Sequence, residues 1–200
     1  MKQSNLLKIG VGLVIIIIIG YSFSGGQTTE DYINEIKKER EEKDIFMKNS
    51  DESPFHNSSE EIKPLQYYPP DIRFKIKARF VPIKNKSIVK LPTNDHSESE
   101  YLDYGYAEFS FADKPQRLLI LENVEDEVLF LAFGDETSAE ETYGAGRYLD
   151  VKHDGGKSIL LDFNLAYNPY CAYSEEFSCP LPPRQNLLSI PIQAGEKTYQ

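Results

Sequence analysis

Ile72-Arg73-Phe74-Lys75-Ile76-Lys77-Ala78-Arg79-Phe80 is the stretch that decides the fold. Apolar residues (Ile72, Phe74, Ile76, Ala78, Phe80) alternate strictly with basic ones (Arg73, Lys75, Lys77, Arg79). A period of two puts successive side chains on opposite faces, so this stretch reads as a β-strand with one buried and one basic face. Downstream, strands are predicted over 87–91, 104–111, 117–122, 128–133, 147–151, 158–163 and 187–192. Turn residues separate them, among them Thr93-Asn94-Asp95, Ala112-Asp113-Lys114-Pro115 and Asp154-Gly155-Gly156. Strands spaced about ten residues apart, with no long helical period between them, argue for an antiparallel β-sandwich or small barrel. The basic face has two readings. It could meet anionic lipid headgroups or an acidic ligand, or it could pair with acids of its own sheet.

Working outward to the N-terminal side, residues 50–70 are turn material, with Ser53-Pro54, Lys63-Pro64 and Tyr68-Pro69-Pro70. Glu30 to Asn49 contains neither Gly nor Pro, and Glu35 to Lys43 is charged at every position but Ile36. Thr28 and Thr29 offer N-caps, and Glu30 and Asp31 suit the first turn. The expectation is a solvated helical stalk that packs only by its ends, with a partner-binding helix as the alternative. Before it, Lys2 and Lys8 precede an uncharged run from Ile9 to Phe23 that includes five consecutive isoleucines, Ile15 to Ile19. Residues 6–26 reach the roughly 20 apolar positions that span a bilayer. Basic residues before the run and acids after it orient the N-terminus inward. The segment is therefore expected to be an uncleaved single-pass anchor in the cytoplasmic membrane. Its competitor is a signal peptide cut after Ser24, which would release the rest. The expected organisation is 1–26 anchor or signal, 27–66 charged helix and linker, and 67–200 a β-rich domain outside the membrane.

Composition narrows the function classes. The 200 residues hold 22 Lys and Arg against 32 Asp and Glu, a formal charge of −10. That balance argues against a nucleic-acid partner, which needs a basic face. Two cysteines exclude a disulfide-dense scaffold and any four-cysteine zinc module. Partial motifs fail on inspection. Gly155-Gly156-Lys157-Ser158 ends like a phosphate loop, but Val151 stands where its first Gly belongs. Gly144-Ala145-Gly146 lacks the third Gly of a dinucleotide turn. No GxSxG occurs. His56, His96 and His153 are far apart, and the acidic run from Asp135 to Glu141 lacks the spacing and central Gly of a calcium loop. No cofactor and no metal are expected.

Residues with special roles concentrate after Phe133. The blocks FGDETSAEETYGAGRYLDV (133–151), LDFNLAYNPYCAYSEEFSCPLPPRQNLL (161–188) and IPIQAGEK (190–197) resemble the signature blocks of the bacterial family named only as domain of unknown function 1684. The likeness extends more loosely to SPF at Ser53–Phe55 and to the first strand. It implies a helix-plus-β domain and no established activity.

From the residues themselves, a polar pocket is expected from Asp135, Thr137, Tyr143, Arg147, Asp162, Asn164, Tyr167 and Asn168. A charged Asp162 at the end of a buried strand needs a partner. Arg147 is the obvious one, with Asp135 competing for it. The cluster would either hold the aromatic loop together or bind a ligand carboxylate or phosphate through Arg147. Outside the cytoplasm, Cys171 and Cys179 are expected to form a disulfide; a thiol pair for metal or redox work is the rival. The function expected is an extracytoplasmic domain that binds an unknown ligand or envelope protein. The alternative is a hydrolase-type enzyme using the Asp and Arg groups of 135–168.

Overall fold

The computed structural model describes residues 28–56 and 61–199. The expected anchor at 6–26, and cleavage after Ser24, lie outside them. No helix among the described residues is long and apolar enough to cross a membrane.

Helix α1 (Thr29–Asn49) starts with a capping box, in which Thr28 and Asp31 bond each other's side chains and backbones. It is not a stalk held by its ends. Tyr32, Ile36 and Met47 are buried, and Arg40 donates to the Tyr68 carbonyl at 2.8 Å and the Asn164 carbonyl at 3.1 Å. Lys43 reaches Glu196 at 2.9 Å. Tyr32, Ile36, Arg40, Lys43 and Met47 recur at spacings of four, four, three and four, which is one helix face. Two of those five contacts are charged, and that hid the face in the sequence.

Seven strands follow: β1 (Lys75–Pro82), β2 (Ile88–Pro92), β3 (Glu98–Phe111), β4 (Lys114–Asn123), β5 (Leu129–Phe133), β6 (Arg147–Val151) and β7 (Ser158–Asp162). The start of the deciding stretch is not yet strand. Ile72–Phe74 form a 3-10 turn whose first N–H groups are met by Asp71, with Arg73 N–H donating to it at 2.9 Å.

All pairs are antiparallel, in the order β6-β5-β4-β3-β1-β7. β3 forks. Its first half pairs with β2 (Leu102 opposite Ile88), and its second half with β1 (Ala107 opposite Phe80). The register against β4 shifts at the fork, between Asp103 and Gly105. A Cβ on Gly105 would sit 2.5 Å from the Phe80 ring, so only Gly lets that ring cover the bulge.

The ladder is one continuous sheet, not the two sheets of a sandwich. It curls into a half-barrel until its end strands β6 and β7 come into contact without pairing. The predicted strand at 187–192 explains the difference. Leu188, Ile190, Ile192 and Ala194 are buried and the residues between them exposed, so the alternation is real. They join Leu118, Ile120, Leu131, Phe133, Leu161 and Phe163 in the main core. Yet Pro191 has no N–H to give a ladder, and only an isolated bridge links Leu187 to Gly134. The segment plugs the curl instead of extending a sheet.

The basic face of β1 is largely paired at home. Arg79 and Arg117 both engage Glu108, and Lys75 lies 4.6 Å from the centre of the Tyr32 ring.

One side chain substitutes for missing ladder. β4 and β5 share only the pairs Leu121–Phe130 and Glu122–Leu129. Beyond them the buried Asn186 bridges the strands. Its Oδ1 accepts from Leu119 N–H at 2.7 Å, and its Nδ2 donates to the carbonyls of Leu119 and Ala132, both at 2.9 Å. Asn186→Leu strands these buried groups and is expected to lower unfolding stability by roughly 3 kcal/mol in a urea titration. Gln185→Ala, at the exposed neighbour, is expected to leave the midpoint unchanged.

Candidate functional site

Arg147 opens β6 opposite Phe133 of β5, and its side chain is turned into the curl, 1% exposed. Its Nη2 donates to Asp135 Oδ2 and to the Ile192 carbonyl, both at 2.8 Å. Its Nη1 donates to the carbonyls of Ala194 and Glu196. These carbonyls belong to alternate residues of an extended chain. The guanidinium thus does for the C-terminal segment what a neighbouring strand would do. Asp135 Oδ1 accepts from Thr137 N–H at 2.8 Å, Thr137 Oγ1 at 2.6 Å and Ile192 N–H at 3.1 Å. Thr137 is tied in turn to Thr142, hydroxyl to hydroxyl, at 2.9 Å. Asp135 borders a hollow of about 410 Å³ above the Gly144–Gly146 turn, but both its oxygens are engaged inward.

Arg147 is not the partner of Asp162, as the sequence suggested. The β5–β6 register carries Arg147 to Asp135, while Asp162 faces α1. There it accepts from Tyr32 Oη at 2.8 Å and from Asn164 N–H at 3.1 Å. Burial, reinforced by Asp162, drives the Tyr32 phenol far above its ordinary pKa. Asn164 also makes a reciprocal pair with the Asp71 backbone, 2.8 Å in each direction. The eight expected pocket residues therefore fall into separate clusters. Asp135, Thr137 and Arg147 hold the C-terminal segment. Asp162 and Asn164 hold α1 and the entry to β1. Asn168 serves a third cluster, and Tyr143 lies 4.0 Å from Cys171.

The third cluster is built on Glu196, which the sequence reading did not single out. It is 0% exposed and receives Lys43 Nζ at 2.9 Å, Asn168 Nδ2 at 3.0 Å, Asn168 N–H at 3.2 Å and the Tyr173 hydroxyl. An acid inside the quoted IPIQAGEK block was the available signal.

Cys171 and Cys179 are both free thiols in the structure, so the expected disulfide is not formed. Cys171 N–H instead donates to Cys179 Sγ at 3.1 Å. The contact with Cys179 lowers Cys171 from 9.0 to about 7, against an opposing push from burial. The same contact and burial drive Cys179 up. Among the described residues, no cluster of three or more His, Cys, Asp or Glu could hold a metal ion.

Open space lies elsewhere. A cleft of about 500 Å³ runs between the C-terminal half of α1 and the loop 167–180. Phe46, Tyr148, Tyr167, Tyr170 and Phe177 wall it. Tyr148 donates to the Pro180 carbonyl at 2.6 Å, and Tyr167 to Asp150 at 2.7 Å, which fixes both rings. A second cavity of about 240 Å³ adjoins it, sharing Lys43, Asp150 and Tyr167 and bounded further by Arg40 and Tyr67. The Lys43 ammonium lies 4.7 Å from the Tyr167 ring centre, at the junction. Of the eight expected residues, Tyr167 borders both spaces and Asn164 the smaller.

The family model described as "Protein of unknown function (DUF1684)" matches residues 60–197, which span all seven strands and the C-terminal plug. The chain belongs to this family. A DUF1684 chain also resembles a solved structure, the solution NMR structure of an uncharacterised protein of Haloarcula marismortui. The two are 34% identical, with a TM-score of 0.67, and the match covers 85% of this chain and 96% of that one. No curated protein matches the chain.

Two outcomes test the clusters. Arg147→Leu leaves Asp135 buried and uncompensated and is expected to cost about 3–5 kcal/mol in denaturant unfolding. In reduced protein, iodoacetamide is expected to alkylate Cys171 with a rate that climbs with pH about a midpoint near 7, since the thiolate is the nucleophile. Cys179 is expected to stay unlabelled in peptide maps across that range.

Proposed function

We propose that this DUF1684 protein is a membrane-anchored, extracytoplasmic binding module whose ligand occupies the aromatic cleft between α1 and the loop 167–180. The observation that carries the reading is the cleft: about 500 Å³, five aromatic walls, and a cation and a carboxylate at one end. Small-molecule sites are concave, mostly apolar and fitted with a few placed polar groups. The hydrolase alternative finds less support. Its acids and its anion clamp, Asp135, Asp162 and Arg147, are engaged with one another, with backbone or with Tyr32.

The anchor rests on the sequence of residues 6–26, with basic residues before it and acids after. α1 begins at Thr29, directly beyond that segment. At a helical rise of about 1.5 Å per residue, Lys43 lies roughly 20 Å along α1 from its start.

Two measurements test the reading. A C-terminal alkaline phosphatase fusion is expected to be active and to sediment with membranes; an inactive, soluble fusion would overturn the placement. Native mass spectrometry of the full chain, extracted from membranes in detergent, is expected to show a small-molecule adduct. Ser178→Phe, which fills the cleft, should lose it. An adduct retained by Ser178→Phe would put the ligand elsewhere.

A further inference from the structure

We infer that Cys171 and Cys179 are a dithiol that reduces small-molecule disulfides, with Cys171 as the attacking sulfur and Cys179 as the resolving one. The two cysteines are held differently. Cys171 belongs to the short 3-10 turn Tyr170–Ala172 and is half-buried. Cys179 is 6% exposed and pinned. Its N–H donates to Asn94 Oδ1 at 2.6 Å, and its carbonyl accepts from Asn94 N–H at 3.1 Å. The next residue, Pro180, bridges to Thr93, just beyond β2. One sulfur is thus open to a compact reagent, and the other is fixed beside it, out of reach.

The geometry brings the pair together. Cys179 Sγ accepts from Cys171 N–H at 3.1 Å. One N–Cα bond further on, that sulfur is at most about 4.6 Å from Cys171 Cα, a gap the Cys171 side chain can span. The loop between the cysteines is already closed on itself. The Tyr170 and Phe177 rings meet edge to face with their centres 5.2 Å apart. A bond between the sulfurs therefore joins segments that are in contact before it forms. The contact with Cys179 lowers the Cys171 thiol to about 7; burial opposes it, and the Tyr143 hydroxyl, 4.0 Å from Cys171 Sγ, adds to it. The same contact and burial drive Cys179 up. Near neutral pH the accessible sulfur is the nucleophile, and the buried one keeps its proton.

The exchange runs in two steps. The Cys171 thiolate attacks one sulfur of the substrate disulfide, forming a mixed disulfide and releasing one thiolate. Cys179 then yields its proton to that departing thiolate and attacks Cys171 Sγ, which expels the second thiolate. Two electrons pass from the cysteine pair to the substrate, which leaves as two thiols.

The full chain, reduced in detergent and freed of reductant, is treated with bis(2-hydroxyethyl) disulfide, a compact uncharged probe, and followed by intact mass. Wild type is expected to become two hydrogens lighter and to carry no lasting adduct. Cys179→Ser should keep one mercaptoethanol, mapped to Cys171. Cys171→Ser should react at least about tenfold more slowly than Cys179→Ser, because its remaining sulfur is buried. The wild-type rate is expected to rise about tenfold from pH 6 to pH 8, whereas an ordinary thiol at 9.0 would rise roughly a hundredfold. Dithiothreitol should return the bridged form to its starting mass without denaturant.

A lasting adduct on wild type would show that Cys179 does not resolve, and would overturn the dithiol. Equal rates for the two serine variants would overturn the assignment of the attacking sulfur. A bridge that yields to dithiothreitol only after urea is added would be a structural disulfide, and the proposed exchange would fall with it.

Discussion

The rest of the structure hangs on the buried pair of Arg147 and Asp135. A curled sheet left open on one side must cover its concave face, and here the cover is a stretch of coil. Coil brings backbone carbonyls and N–H groups into an apolar interior, where each must find a partner. Arg147 supplies donors to the carbonyls of Ile192, Ala194 and Glu196, and Asp135 takes the Ile192 N–H. A buried ion pair is often no more stabilising than apolar side chains of the same volume. The apolar alternation from Leu188 to Ala194 decides which residues face inward but not where the segment sits along the sheet. The pair sets the register of a strand that has no ladder.

From that register the docking of α1 follows. With the Glu196 backbone held by Arg147, its carboxylate is presented to Lys43, Asn168 and Tyr173. Lys43 then brings the C-terminal half of α1 against the loop 167–180. The cleft is the gap left where a charged helix rests on aromatic rings without interdigitating. A helix with a continuous apolar stripe would have closed it. The sparse stripe of Tyr32, Ile36 and Met47 is enough to hold the helix and too thin to fill the space.

The sequence made most of the sheet legible, because antiparallel strands with one face on a core write period two into the chain. β1 through β7 all lie within or beside the predicted stretches, although β4 and β5, buried on both faces, read as apolar runs and not as alternation. What it could not convey was which strands adjoin. Sandwich and half-barrel share one local pattern and differ only in long-range pairing. The 187–192 stretch shows the limit from the other side: it alternates faithfully, but Pro191 and the side chains of Asp135 and Arg147 take it out of the sheet. Likewise Arg147 was recognisable as a cation needing an acid, yet the choice between Asp135 and Asp162 is made by the register of Arg147 opposite Phe133. Arg40 and Lys43 were hidden because a charge run normally marks a wet surface. The cleft itself belongs to no single segment, so only the aromatic density of Tyr167 to Tyr173 hinted at it.

The link between Lys43 and Glu196 also has a consequence for how the molecule comes to be made. Helix α1 is held by Glu196, 153 positions further along the chain than Lys43. The core plug at 188–194 is equally late in the chain. A nascent chain can form local hairpins such as β3–β4 as they emerge, but its interior stays open until residues 188–196 have emerged. Non-local closure of this kind slows folding and keeps apolar surface exposed while the chain waits. The domain therefore stays an unfinished shell until residues 188–196 arrive, and closes in that one late step.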